Sequence, residues 1–412
     1  MSNLLAKIIA YYKNTVKIKS ENKTVQTRVE QSYVCKSESQ KKIYDLINAI
    51  KFNPRDSKNY WNLKFSILSL HWVSEKIDPD LLEQGVSILL QVIENHPDFY
   101  FSHVVLGILL TEQNKRQEAI DCFQTASYKQ TFLSHPQLVE SCWSINQKRP
   151  PDFIITGFMK CGTSSLYSYL VKDPHILSAV DKELWFFTPQ FFDHGLDFYL
   201  AHFPAISEKT NYLTGEATPC YINFTDIAKK VFNFFPNIKL IILLRNPIER
   251  AISSYHHEHK YQKLELINDE LKLMIPTAIE TIKNRIVDNP LDLLFPLEAS
   301  TSIDGYMYNP CLSLHHLFFG LYVFYLKEWL SVFPRDQFLI LKSEDLFSNP
   351  PATMKQVYDF LGLPHHQLSF YRNSNVGSYS PISDNLRSQL KEFYRPYNQQ
   401  LEEYLGMKFN WE

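Results

Sequence analysis

One stretch constrains this chain more than any other: Phe153-Ile154-Ile155-Thr156-Gly157-Phe158-Met159-Lys160-Cys161-Gly162-Thr163-Ser164-Ser165-Leu166. An apolar run, a loop with two glycines and a lysine, and a short hydroxyl-rich run predict a strand, a tight loop and a helix start in immediate succession. Gly157 and Gly162 permit the sharp backbone, the amides of the loop and helix start can point at an anion, and Lys160 adds a full positive charge. The stretch is a cradle for phosphate or sulfate. A Walker-type loop would carry its lysine directly after the second glycine, whereas here Thr163 follows Gly162 and the lysine stands two positions before it.

Beyond residue 150, short apolar runs alternate with helical stretches, and strands are expected at 152–156, 212–216, 239–244 and 337–341. That alternation predicts an α/β fold, a P-loop-type parallel sheet flanked by helices, with its site at the carboxyl ends of the strands. The run at 239–244 leads into Arg245, where a nucleoside-triphosphate hydrolase would place the aspartate that positions magnesium. A guanidinium instead grips phosphate oxygens directly through two parallel donors, and the Ser253 hydroxyl can join it. Glu249 and Arg250 read as a salt-bridged helix start.

Together these motifs resemble the PAPS-dependent sulfotransferases, which use 3′-phosphoadenosine 5′-phosphosulfate, and within them the heparan-sulfate and glycan branch. Lys160-Cys161-Gly162-Thr163-Ser164 is similar to that family's 5′-phosphosulfate loop. Arg245 with Ser253 eight residues on, inside Arg245-Asn246-Pro247-Ile248-Glu249-Arg250-Ala251, resembles its 3′-phosphate motif. Lys182-Glu183-Leu184-Trp185-Phe186-Phe187 resembles the segment whose glutamate is the proposed base. The resemblance implies Glu183 as general base, with Lys160 and Lys182 as the other catalytic groups. It implies cofactor contacts from Lys160, Cys161, Gly162, Thr163, Ser164, Ser165, Arg245 and Ser253. It also implies a loop over the nucleotide, which here holds Gly377, Ser378 and Tyr379 without the family's Lys-Gly-Arg residues. Glu216, in a motif shared with that branch, is expected to position the acceptor or Lys182. The donor would be PAPS, with no metal, and the acceptor a hydroxyl of a sugar, glycan or small metabolite.

Upstream, the apolar spacing over 39–146 is helical, and Tyr100 to Thr131 resembles a tetratricopeptide repeat, with Leu106, Gly107, Ala119, Phe123 and Ala126 at the packing offsets. Such a TPR-like region is either a packing appendage or a groove for a protein partner. Residues 1–38 read as a flexible N-terminal segment, 147–151 as a linker, 150–412 as the sulfotransferase domain, and 260–303 as a specificity insertion.

Composition removes several classes. A formal net charge of −2 offers no broad basic face for nucleic acid. Six scattered cysteines with no CxxC spacing, and a start interrupted by lysines, fit a reducing, cytoplasmic setting. Residues 312–330 carry His315, His316, Lys327 and Glu328, so they read as a buried amphipathic helix and no membrane span is expected. Cys161 at a helix start invites comparison with a nucleophile, but no His/Asn partner is identifiable and it reads as a small loop residue. His256, His257 and His259 lack a third ligand and read as surface or pocket-lining groups. A P-loop kinase and a repeat scaffold with a decayed enzyme domain are the alternatives; the motifs above disfavour both.

Overall fold

The computed structural model describes residues 37–411 apart from 73–74, 208–209, 259–274, 277, 281, 284–315 and 374–380. Gly377, Ser378 and Tyr379, His259, and most of 260–303 therefore lie outside the described residues. The chain divides into two compact units.

The first unit is helical: α1 (Glu38–Phe52), α2 (Ser57–Trp72), α3 (Pro79–Asn95), α4 (Tyr100–Glu112), α5 (Arg116–Ser134) and α6 (Pro136–Cys142). Local chemistry sets these starts. Ser37 caps α1 by accepting from the Gln40 amide, and Asp78 accepts from Asp80 ahead of α3, whose first position is Pro79. Ile43, Ile47 and Ile50 bury one face of α1 at helical spacing. Helix α1 packs on α2, α3 on α4, and α4 on α5. The last of these pairs shows why Gly107 is small: a Cβ there would sit 2.6 Å from the Phe123 ring. Phe123 in turn stacks on His202 with centroids 4.0 Å apart. His202 belongs here because the first unit takes in Ser178–Asp181 and Gln190–Asn211 as well as the described residues up to Pro150.

The second unit is built on a five-stranded sheet of order β2-β3-β1-β4-β5. Its elements are β1 (Phe153–Gly157), α7 (Thr163–Leu170), β2 (Ile176–Ser178), β3 (Leu213–Ala217), α8 (Thr225–Phe234), β4 (Lys239–Leu244), α9 (Pro247–Glu258), α10 (Tyr322–Val332), β5 (Phe338–Lys342), α11 (Ser343–Ser348), α12 (Pro350–Leu361) and α13 (Asp384–Leu405). Strand β1 pairs in parallel with β3 and with β4, and β4 in parallel with β5. This is the expected α/β architecture. Leu240 through Leu244 are wholly buried, as a parallel strand covered on both faces must be. At Gly215 a Cβ would meet the Phe153 carbonyl oxygen at 2.5 Å, so the close β1–β3 approach requires glycine.

Four carboxyl ends lie side by side in this register. Ile155 pairs with Ala217, Gly157 with Ile242, and Leu244 with Lys342. The residues just past the strands therefore gather at one edge: the loop 158–162 after β1, Thr218 after β3, Arg245 after β4 and Ser343 after β5. Helix α10 buries Tyr322, Val323, Tyr325, Leu326 and Trp329. No helix among the described residues is long and apolar enough to cross a membrane.

Candidate active site

The loop after β1 is held by its neighbours rather than by its own length. Gly162 takes φ +88°, and a Cβ there would press on the Phe347 ring at 2.9 Å. Lys160 also adopts the left-handed region, at φ +69°. Ser343, at the end of β5, donates its hydroxyl to Cys161 O at 2.6 Å and lies 3.0 Å from Leu244 O. The Tyr322 hydroxyl donates to Arg245 O at 2.7 Å, and Arg245 Nη1 donates to Lys160 O at 3.1 Å. The loop and the end of β4 are thus tied to each other and to β5. The Tyr322 and Ser343 hydroxyls therefore act as scaffold at the loop itself. Helix α7 makes its first ladder bond from Leu166 N to Gly162 O, and Gly162 offers no capping side chain. The amides of Thr163 and Ser164 precede that bond and are available to an anion.

Positive charge converges on the same loop. The Lys160 ammonium is lowered to about 8, first by burial and then by Arg245, with Lys182 and Arg250 adding to the effect and Glu183 opposing it. Such couplings act over short distances, so residues from three separate stretches, 160, 182–183 and 245–250, share one locality. Arg250 is fully buried and donates Nη2 to His316 O, while its Nε and Nη1 have no hydrogen-bond partner among the described residues. The expected Glu249–Arg250 salt bridge does not form. Neighbouring helical residues point about 100° apart, so Arg250 turns inward and Glu249 outward, where it pairs with Arg387 at 2.7 Å. Ser253 lies one turn after Arg250 on α9 and is buried. Asn246 begins that helix, accepting from Ile248 N through Oδ1 and donating its own amide to Glu344 Oε1 at 2.7 Å.

Cys161 is also wholly buried, and burial pushes its thiol up to about 11. A thiol so rarely ionised is a packing residue of the loop and not a nucleophile.

Lys182 and Glu183 lie on an irregular segment laid against the end of β3. Glu183 and Trp185 have φ of +67° and +60°, which side chains other than glycine adopt only when their surroundings hold them there. Glu183 N donates to Ala217 O at 3.1 Å and Leu184 N to Thr218 Oγ1 at 3.0 Å. Phe186 and Phe187 are buried beyond them. Lys182 Nζ and Glu183 Oε1 form an ion pair whose side chains remain 12% and 17% exposed, enough to be reached from solvent. Glu216 lies wholly buried beneath this segment. It accepts from Thr218 Oγ1 at 2.5 Å and from the Tyr221 hydroxyl at 3.4 Å. Those two hydroxyls also receive the Leu184 and Phe187 amides, so Glu216 orients the groups that hold the segment.

The structure thus brings together Lys160, Lys182, Glu183, Arg245 and the start of α7. His256 is buried on α9 and His257 exposed. Among the described residues no group of three His, Cys, Asp or Glu side chains could hold a metal ion. Residue 373, where the described chain stops before 374–380, is anchored to α7: Tyr169 donates to Asn373 Oδ1 at 2.9 Å. Arg250, Thr218 and Glu344 are contributors that sequence reasoning missed. Thr218 and Ser343 could have been found as hydroxyl residues directly after strands; nothing in the sequence marks Arg250 as buried.

Lys160 gives the site a pH dependence. Below about 8 the free protein carries the ammonium already charged; above it, an anion must recruit a proton to bind. Affinity for inorganic sulfate should therefore be flat below pH 8 and fall by up to about tenfold per pH unit above it. Calorimetry in buffers of different ionisation enthalpy should show proton uptake at pH 9 and none at pH 7. In Lys160→Arg, charged throughout, the uptake should vanish.

Comparison with known proteins places this geometry. Residues 150–396 match the sulfotransferase domain family, more than half of the chain. The membrane-associated sulfotransferase kil1 of Dictyostelium discoideum is 31% identical over 64% of this chain and 66% of its own length. Human bifunctional heparan sulfate N-deacetylase/N-sulfotransferase 3 is 26% identical over 62% of this chain and 30% of that protein. Human heparan sulfate glucosamine 3-O-sulfotransferase 6 is 27% identical over 64% and 75%. The chain spans less than two thirds of the length of the first two. An anion loop without a Walker lysine, a strand ending in arginine and a Lys-Glu pair beside them all fall within the matched residues, and the chain belongs to the sulfotransferase domain family.

Proposed function

We propose that this protein transfers a sulfuryl group from PAPS to a hydroxyl of a sugar or glycan. The observation that carries this reading is the convergence of Arg245, Lys182 and a solvent-reachable carboxylate, Glu183, on Lys160 of the anion loop. A buried ammonium lowered by neighbouring cations is a site short of negative charge, and a ligand with two anionic ends fits it. PAPS, when bound, supplies the activated sulfuryl group on its 5′-phosphate. The amides of the α7 start and Lys160 would hold that end, with Cys161, Gly162, Thr163, Ser164 and Ser165 forming the cradle. Arg245 and Ser253 would hold the 3′-phosphate. By the family resemblance, Gly377, Ser378 and Tyr379 would be the residues over the adenosine.

In this reading the Glu183 carboxylate accepts the acceptor's hydroxyl proton, and Lys160 and Lys182 neutralise charge developing on the leaving phosphate. The Lys182–Glu183 ion pair keeps the lysine beside the base until ligands separate them. Side chains supply the positive charge, so added divalent metal is not expected to be needed. Names of the relatives support a carbohydrate acceptor, since two of them carry heparan sulfate in the name. The test is transfer of radiolabel from PAPS, with chelator present, to desulfated heparan saccharides and to a small phenol. Labelled saccharide is the expected result. Label on the phenol alone would move the acceptor to a small metabolite, and label on neither would contradict the proposal.

A further inference from the structure

Arg250 places a full positive charge at zero exposure on the inner face of α9. Its Nη2 donates to His316 O, while Nε and Nη1 have no hydrogen-bond partner and the guanidinium forms no ion pair among the described residues. A guanidinium cannot shed its proton to escape such a setting, as a buried lysine can. A charge so placed costs the fold several kcal/mol unless something supplies its counter-charge.

Its neighbours do not supply it. The charge of Arg250 reaches Cys161 in the anion loop, Tyr322 and Tyr325 on α10 and Tyr394 on α13, all within the second unit. Burial pushes Cys161 up to about 11 and the three tyrosines well above their usual range, so each of these groups is neutral near pH 7. The carboxylates close by are engaged elsewhere: Glu249 pairs with Arg387, Glu183 with Lys182, and Glu344 accepts the Asn246 amide. Of the charges felt most at Lys160 and Cys161, those of Lys182, Arg245 and Arg250 are positive and those of Glu183 and Glu344 negative. With Lys160 itself, positive charge is in excess.

The excess lies under the anion loop. The Tyr322 hydroxyl, which feels Arg250, stands 3.8 Å from Cys161 Sγ and donates to Arg245 O at 2.7 Å. Arg250 therefore occupies the buried layer behind the loop and the end of β4. We infer that Arg250 is the buried counter-charge of the bound anion: a guanidinium that attracts a phosphate or sulfate group in the loop from behind, without touching it, and is itself balanced when that group binds. The inference rests on the function proposed above only in taking that group to be part of PAPS.

The test uses the full chain and three ligands of falling charge: adenosine 3′,5′-bisphosphate, inorganic sulfate and adenosine. Arg250→Met removes the charge and keeps a long side chain. Calorimetry of this variant at pH 7 should show sulfate bound about tenfold weaker and the bisphosphate weakened at least as much, with neutral adenosine within about twofold of wild type. Without ligand the variant should melt no lower than wild type, because the lost charge had no ionic partner. Its melting temperature should also rise less when the bisphosphate is added. Sulfate affinity within about twofold of wild type overturns the inference. So do equal losses for all three ligands, or a ligand-free variant that melts well below wild type, since Arg250 would then shape the loop through His316. If Arg250→Met does not fold, Arg250→Gln, which keeps a donor toward His316 O without the charge, is read in the same way, and failure of both to fold overturns the inference. Wild-type protein that binds sulfate but not the bisphosphate overturns the proposed function, and sulfate binding to the variant still decides the claim about Arg250.

Discussion

Glu183→Gln should lower single-turnover sulfation by about 10²–10⁴-fold while affinity for adenosine 3′,5′-bisphosphate stays unchanged. The substitution keeps the shape of the side chain and a hydrogen-bonding group facing Lys182 but removes the basic oxygen that takes the acceptor's proton. The fold should not suffer, because the segment is held by the Glu183 and Leu184 amides and by buried Phe186 and Phe187, none of which the change touches. Circular dichroism and amide exchange in 182–188 check that assumption. A variant that turns over within about threefold of wild type would remove Glu183 as the base. Glu216 is then a poor substitute: it is wholly buried and already accepts from Thr218 and Tyr221.

Arg245→Ala is the second large effect. Loss of a charge-assisted contact to the 3′-phosphate should weaken the bisphosphate by about 1.5–3 kcal/mol, or roughly 10- to 150-fold. Binding of 5′-AMP, which lacks that phosphate, should change far less. Arg245 also lowers the Lys160 ammonium and donates to Lys160 O, so its loss has a second signature. Without the neighbouring guanidinium Lys160 holds its proton to higher pH, and the decline in anion affinity should begin above the wild-type value of about 8. Parallel losses for bisphosphate and 5′-AMP would mean that Arg245 supports the loop and does not read the 3′-phosphate.

The parts of the fold legible in the sequence were those written in continuous local pattern. The run at 239–244 is strand β4 to the residue, and the other three expected strands are displaced by one position, because apolar runs between turn residues leave little choice of register. Strand β2 went unseen: three residues are too few to show a period. The helices of 100–112 and 116–134 pack on each other with Gly107 against Phe123, a contact that shows two packed helices and leaves the repeat reading an expectation.

The features that escaped the sequence depend on contacts between distant residues. Lys64 and Asp181 form an ion pair 117 positions apart, and no local pattern announces that Ser178–Asp181 and Gln190–Asn211 belong with the helical unit. The inward turn of Arg250 is set by which face of α9 meets the His316 carbonyl. The left-handed backbone at Glu183 is likewise imposed from outside, by the end of β3. Motif resemblance singled out Lys160, Lys182, Glu183 and Arg245 as candidates, whereas the contacts that hold them became visible only in three dimensions.

The central claim is that this anion site reads a nucleotide with a 3′-phosphate, and titration calorimetry of the wild-type protein with adenosine 3′,5′-bisphosphate and with 5′-AMP, in chelator, tests it most directly. The account predicts that the bisphosphate binds without magnesium and roughly tenfold or more tighter than 5′-AMP, through Arg245 and Ser253. Equal affinity for the two nucleotides, or binding that appears only with a nucleoside triphosphate and magnesium, would contradict it.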